Sequence, residues 1–191
     1  MWAVVGLGNP GKDYAKTRHN VGILLINQLK SRWDVRLKGM GRRFRGAKAR
    51  IGKNEILLAR SKDFMNRSGY AVKKIKDKYQ IPLEKLIIAH DDFDLSLGEI
   101  RIKRGGSGGS HKGVRSVIEN LGTQEFPRIK IGIGPVPQEQ DPSLFVLSPF
   151  EEQEWPLLDE SIQMSAKALD MILARSFDEA MNVYNRKRSD I

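Results

Sequence analysis

The chain has no cysteine. That excludes a disulfide scaffold, a thiolate nucleophile and Cys-ligated zinc. No apolar run approaches the length of a membrane span. No basic stretch precedes the apolar N-terminal run, so it is not read as a signal peptide. These absences point to a cytoplasmic protein. Repeats and low-complexity tracts are missing too, apart from the glycine-rich stretch 105–109. Acid is in deficit: 23 Asp and Glu stand against 33 Lys and Arg, a net charge of +10. That favours a polyanionic partner, nucleic acid ahead of an anionic membrane. The excess is uneven. Ten Lys or Arg lie between Lys30 and Lys53 against Asp34 alone, whereas Glu151–Asp170 holds six acids against Lys167. This split points to one charged face.

The rest is ordinary globular protein. With 191 residues, 40% hydrophobic and 29% charged, the chain can bury one real core. Trp2–Leu7 reads as a buried strand and 8–19 as a loop. Val21–Trp33 has helical spacing, with Asn20 as N-cap. Strands are expected at Phe44–Ile51, Glu55–Arg60, Lys85–Ala89, Glu99–Lys103 and Arg128–Ile133. Helices are expected at Asn66–Tyr79, Gly113–Leu121, Glu151–Arg175 and Phe177–Asn185. Pro135–Ser143 reads as a loop. Strands alternating with helices indicate an α/β fold with a sheet covered on both faces. No linker is visible, so residues 1–191 are read as one domain.

Several motifs invite chemistry and fail on context. Gly6–Gly11 is a literal G-x-G-x-x-G after a strand. In a dinucleotide fingerprint the helix starts within the glycines and its N-terminus holds the pyrophosphate. Here Pro10 intervenes, the apolar period starts only at Val21, and the segment 38–50 is basic where a ribose-binding acid belongs. Gly105–Gly109 matches G-x-S-x-G, but the histidine following Ser107 is His111, too close to fold back as a triad base. A Gly-Ser loop whose backbone amides approach something is the better reading. His90, Asp91, Asp92 and Asp94 cluster after a strand, yet no second histidine stands at ligand spacing. Magnesium is the open alternative, and no metal is assigned.

What remains is a base and its support. His19 lies just before the expected N-cap of an apolar helix. The positive end of that helix disfavours imidazolium, and neutral imidazole is a competent general base. Asn9 and Asn66 offer amide donors in loops. Asp91, at the end of its strand, can orient the base. A base, an orienting acid, amide donors and no side-chain nucleophile suit water attack on a carbonyl.

The segments GLGNPGKDYAKTRHNVG, DFMNRSG, HDDFDLSLGEIRIKRGGSGGSHKG, RIKIGIG and FVLSPF occur in order along nearly the whole chain. Together they resemble the bacterial-type peptidyl-tRNA hydrolase family. The resemblance implies a single-domain, three-layer α/β/α fold with a mixed central sheet, like the phosphorylase/hydrolase folds. It implies hydrolysis of the ester between peptide and tRNA, which frees stalled tRNA for translation, without a cofactor. By the same resemblance His19 activates water and Asp91 orients it. Asn9 senses the peptide bond of the acylated amino group. Asn66 positions the substrate and supports the oxyanion. Tyr14 and Phe64 contact the terminal part of the tRNA, and Lys103 and Lys130 clamp its 5′ phosphate. No membrane or obligate protein partner is implied, and the family is usually monomeric. One position departs from the pattern. Lys112 stands where the family has Asn after His111, which puts a water-orienting role there in doubt and leaves an electrostatic one. A second class is carried alongside: RNA-binding splicing factors on the same fold that need no hydrolysis.

Overall fold

Strands that read as continuously apolar are those buried on both faces. The computed structural model describes residues 1–185; the tail of the expected domain, 186–191, lies outside the described residues. In chain order the strands are β1 (Trp2–Gly6), β2 (Lys38–Gly39), β3 (Phe44–Ile51), β4 (Asn54–Ser61), β5 (Leu86–Ser96), β6 (Ile100–Lys103) and β7 (Arg128–Gly134). They form one sheet in the order β2-β3-β4-β1-β5-β7-β6. The four central strands β4, β1, β5 and β7 are parallel. β3 is antiparallel to β4, β2 to β3, and β6 to β7.

Six α-helices cover the sheet: α1 (Val21–Arg32), α2 (Ser68–Tyr79), α3 (Lys112–Leu121), α4 (Pro142–Leu147), α5 (Trp155–Ala174) and α6 (Phe177–Tyr184). Alternate residues of the central strands feed two separate cores. Val4, Ile56, Leu58 and Ile87 pack with Leu25 and Leu29 of α1, Ile162 and Leu169 of α5 and Phe177 of α6. Val5, Leu57 and Ile88 pack on the other face with Val72 and Ile75 of α2 and Val114 and Val117 of α3. Each such side chain contributes about 1.5–3 kcal/mol on leaving water. The three-layer α/β/α architecture with a mixed sheet is therefore the observed one.

Two glycines that flank the first loop have a packing role. A Cβ on Gly6 would lie 2.3 Å from the Gly22 carbonyl oxygen, and one on Gly22 would lie 2.4 Å from that of Ala89. Both residues must lack a side chain for α1 to cross β1 and β5 this closely. The G-x-G pattern thus marks helix–sheet contact.

Several expected boundaries shift. Asn20 occupies the N-cap position of α1 but caps nothing with its side chain; it is committed to Asn9. The strand expected at Lys85–Ala89 runs on to Ser96, because β7 pairs with it through Asp92 and again at Ser96. His90, Asp91, Asp92 and Asp94 are therefore strand residues rather than a following loop. The helix expected from Glu151 opens with a single 3₁₀ turn, Glu152–Glu154, before α5. The two-residue β2 and the six-residue α4 had no periodicity long enough to read. One point of contact between the basic and acidic stretches is where α1 packs on α5 and Arg32 donates to Asp170 at 2.6 Å.

Candidate active site

A cleft of about 520 Å³ opens beside the central strands. His19 reaches it from a 3₁₀ turn, Arg18–Asn20, at the foot of α1. Its neighbours on both sides hold that turn. The Arg18 guanidinium donates twice to the Glu154 carboxylate, at 2.8 and 2.6 Å. It lies between the rings of Phe145 and Phe150, 4.5 and 4.8 Å from their centroids. A buried cation paired, hydrogen-bonded and stacked in this way is costly to move. Asn20 clasps the backbone of Asn9 on the opposite side. Its Oδ1 accepts from the Asn9 amide at 2.7 Å, and its Nδ2 donates to the Asn9 carbonyl at 3.0 Å.

Asn9 is therefore fixed at its backbone and again at its tip. The Met65 amide donates to Asn9 Oδ1 at 2.8 Å. That contact identifies the oxygen and leaves the Nδ2 hydrogens for the cleft. Asn66 follows on the turn Met65–Arg67, is itself exposed, and lines the same space.

Asp91 is the centre of the arrangement. It is 2% exposed and lies 2.9 Å from His19 Nδ1 and 2.9 Å from His111 Nε2. His111 Nδ1 accepts from the amides of Gly113 and Val114, at 3.1 and 3.2 Å, and so caps α3. An Nδ1 used as an acceptor forces the proton onto Nε2, which then donates to Asp91. His19 donates from Nδ1 to the same carboxylate, so its Nε2 lone pair is free. Burial by itself would raise the Asp91 carboxyl. The His111 and His19 rings and the hydrogen bonds they donate prevail and hold it well below the usual carboxylate range.

His90 completes a row of rings. It meets His111 edge-on at 4.7 Å between centroids and lies 2.7 Å, through Nδ1, from the Asp91 carbonyl. Burial, with His111 next, pushes the His90 imidazole well below its ordinary range, so it is neutral.

His19, Asp91 and His111 bring three potential ligand atoms within 4.8 Å of one another. The donor set does not suit a metal. His111 would need to become imidazolate or surrender its cap to offer Nε2. The magnesium alternative on the acidic cluster does not assemble either: Asp92 pairs with Lys130 and accepts the amide of Asp94, which is exposed.

The cleft gathers Asn9, His19, Phe64, Asn66, Asp91, Lys103, Lys112 and Lys130. Tyr14 is not among its walls. It stands behind Phe64, which is 52% exposed, and meets it edge-on at 6.3 Å. Lys130 is engaged by Asp92, whereas Lys103 is exposed on the neighbouring strand. Lys112 begins α3, and its charge reaches Asp141, the N-cap of α4. Hydrogen bonds from Ser143 hold the Asp141 carboxyl below its ordinary range, and Lys112 adds a smaller pull. The residue missed in the sequence is His111. Its signal was its place directly before a helix, where a side-chain acceptor belongs.

Proteins of known family share this chain throughout. A family model described as peptidyl-tRNA hydrolase matches residues 3–190. Proteins named peptidyl-tRNA hydrolase from Bacillus pumilus and Thermodesulfovibrio yellowstonii are 41% and 42% identical to it. The matches cover 98% and 97% of this chain and 100% of each relative. A crystal structure of peptidyl-tRNA hydrolase from Acinetobacter baumannii superposes with a TM-score of 0.88 at 33% identity, covering 95% of this chain and 93% of that one. By sequence along its length and by fold, the chain belongs to the peptidyl-tRNA hydrolase family.

Proposed function

We propose that this chain hydrolyses the ester joining a peptide to the 3′ end of tRNA, with His19 as the general base. The observation that carries the mechanism is the double donation to Asp91. It orients His19 with Nε2 as the acceptor, 2.9 Å of hydrogen bond behind it. Water gives a proton to Nε2 while its oxygen attacks the ester carbonyl carbon. The Asn9 Nδ2 and Asn66 amide hydrogens meet the substrate, Asn9 at the peptide bond and Asn66 at the developing oxyanion. The tetrahedral intermediate then expels the ribose oxygen, which takes the proton back from His19. The products are free tRNA and a peptide carboxylic acid, which gives its proton, the second from the water, to solvent and becomes the carboxylate. No cofactor is called for.

Phe64, backed by Tyr14, meets the terminal nucleoside of the acceptor end. Lys103 and Lys130 meet the 5′ phosphate, and Lys112 adds positive potential near the reacting carbonyl. The protein acts as a monomer in the cytoplasm, without an obligate protein partner, and recycles tRNA from stalled translation. No helix among the described residues is long and apolar enough to cross a membrane. The splicing-factor reading has no support: the relatives are named as hydrolases, and the base and its orienting acid are assembled.

Turnover of N-blocked aminoacyl-tRNA by the wild type and His19→Ala is the test. Loss of about 10²–10⁴-fold in kcat with tRNA binding retained is expected. Near-wild-type turnover in a folded variant sinks the assignment of the base.

A further inference from the structure

The Gly-Ser loop between β6 and α3 takes no part in the mechanism above, yet it forms one wall of the cleft. Its carbonyls are turned into the protein. Arg128, 2% exposed at the start of β7, donates from Nη1 to the Ser107 carbonyl at 2.8 Å. From Nη2 it donates to the carbonyls of Gly106 and Gln124, the latter at 3.1 Å. The Gly108 carbonyl accepts from the His111 amide at 3.1 Å. Three successive loop carbonyls are thus held inward. The amides of Ser107, Gly108, Gly109 and Ser110 have no acceptor among the described residues. Gly106 and Gly109 supply the positive φ, 125° and 52°, that such a turn requires.

Cations stand on either side of the loop and beneath it. The hydrogen bonds of Arg128 go to carbonyls and none to a carboxylate, and its Nε has no acceptor in the protein. The Glu125 carboxylate lies beside Gly105, at the start of the loop, and interacts with the Arg128 charge. Lys103 lies two residues before the loop and Lys112 two after it, and both line the cleft. The amides at the start of α3 are excluded from this account, since the His111 side chain already takes those of Gly113 and Val114. Unpartnered amides in a glycine-rich turn beside cations are the chemistry that receives phosphate oxygens.

We infer that the 105–110 loop is a phosphodiester-binding loop, shaped by Arg128, for the unpaired 3′-terminal nucleotides of the substrate. The inference rests on the proposed function. The loop lines the same cleft as the lysines assigned to the 5′ phosphate and the His19–Asp91–His111 centre, which the 3′ end must enter to bring its ester to His19. Arg128 is a positioning residue, because it acts through the loop carbonyls.

Two experiments test it. In the first, ¹⁵N-labelled wild-type protein is titrated with the trinucleotide CCA, with adenosine and with inorganic phosphate. Saturable shifts of the 107–110 amides with CCA, and none with adenosine, are expected. Unmoved loop amides while other cleft residues shift overturn the inference. Inorganic phosphate acting as tightly as CCA overturns the substrate assignment in favour of a free-anion site. In the second, a peptidyl-tRNA carries neutral methylphosphonates at the two linkages before the terminal adenosine. Losing a charge-assisted contact should lower the wild-type kcat/KM by about tenfold or more. In Arg128→Lys, whatever its own rate, the ratio between charged and neutral substrates should fall toward one. A neutral linkage without effect on the wild type, or an unchanged ratio in the variant, refutes the role. Failure of the wild type to cleave the unmodified substrate would instead overturn the hydrolase mechanism, and the titration would still decide the loop.

Discussion

Replacing His111 separates its two jobs. Its Nδ1 caps α3, and its Nε2 donates to Asp91. His111→Ala removes both. Loss of the cap costs about 1 kcal/mol. Loss of a hydrogen bond to a buried charged group costs about 1.5–3 kcal/mol. The sum is about 2.5–4 kcal/mol, large enough to read in a urea melt. His111→Asn should keep the cap, because an asparagine oxygen at this position accepts the same amides, but it is too short to serve Asp91. It should recover about 1 kcal/mol relative to Ala. Catalysis should not recover with it. With one donor gone, Asp91 directs more of its charge at His19 and favours imidazolium, so the acid limb of the kcat/KM profile should move to higher pH in both variants. The assay is peptidyl-tRNA turnover from pH 5 to 9. Full recovery of rate by His111→Asn, or an acid limb that stays where the wild type has it, would refute the claim that His111 acts through Asp91.

The basic clamp should respond to salt unequally. Lys103→Ala should lower the slope of log affinity against log salt by about 0.7–0.9; Lys130→Ala also strips Asp92 of its partner, and adding Asp92→Asn should recover part of its loss. Equal effects of both lysines, with Asp92→Asn silent, would contradict the pairing. At Lys112, Ala should lower kcat/KM and Asn should retain much of it, with stability little changed; destabilisation with untouched kinetics would mean that Lys112 serves only Asp141. His90 supplies a pH window. Because its folded form resists protonation, the unfolded chain holds the extra proton below about pH 6.5, and stability should fall there by up to about 1.4 kcal/mol per pH unit. His90→Asn should flatten that slope, while the contribution of Asp91, depressed far below its unfolded value, persists until below about pH 4. An identical slope in wild type and variant between pH 6.5 and 4.5 would refute it.

Local pattern was enough for the α/β class, while the three-layer architecture with a mixed sheet came from the family resemblance. The runs Trp2–Leu7, Glu55–Arg60 and Arg128–Ile133 were legible because a strand buried on both faces has few polar positions. The long helices were legible because one face of each meets a core. Short elements with little period of their own, β2 and α4, were not. His19, Asp91, Asn9 and Asn66 could be named from residue type and motif, yet what each atom does depended on partners far along the chain. Asn20 reads locally as a cap, but eleven residues away the Asn9 backbone offers both a donor and an acceptor. The end of β5 could not be read from β5, since β7 decides how far the ladder runs. His111 looked too close to Ser107 to matter, and its partner was Asp91 on another strand. Tautomers, caps and ion pairs depend on which groups meet in space, and only the packed sheet with its two helical layers brings those groups together.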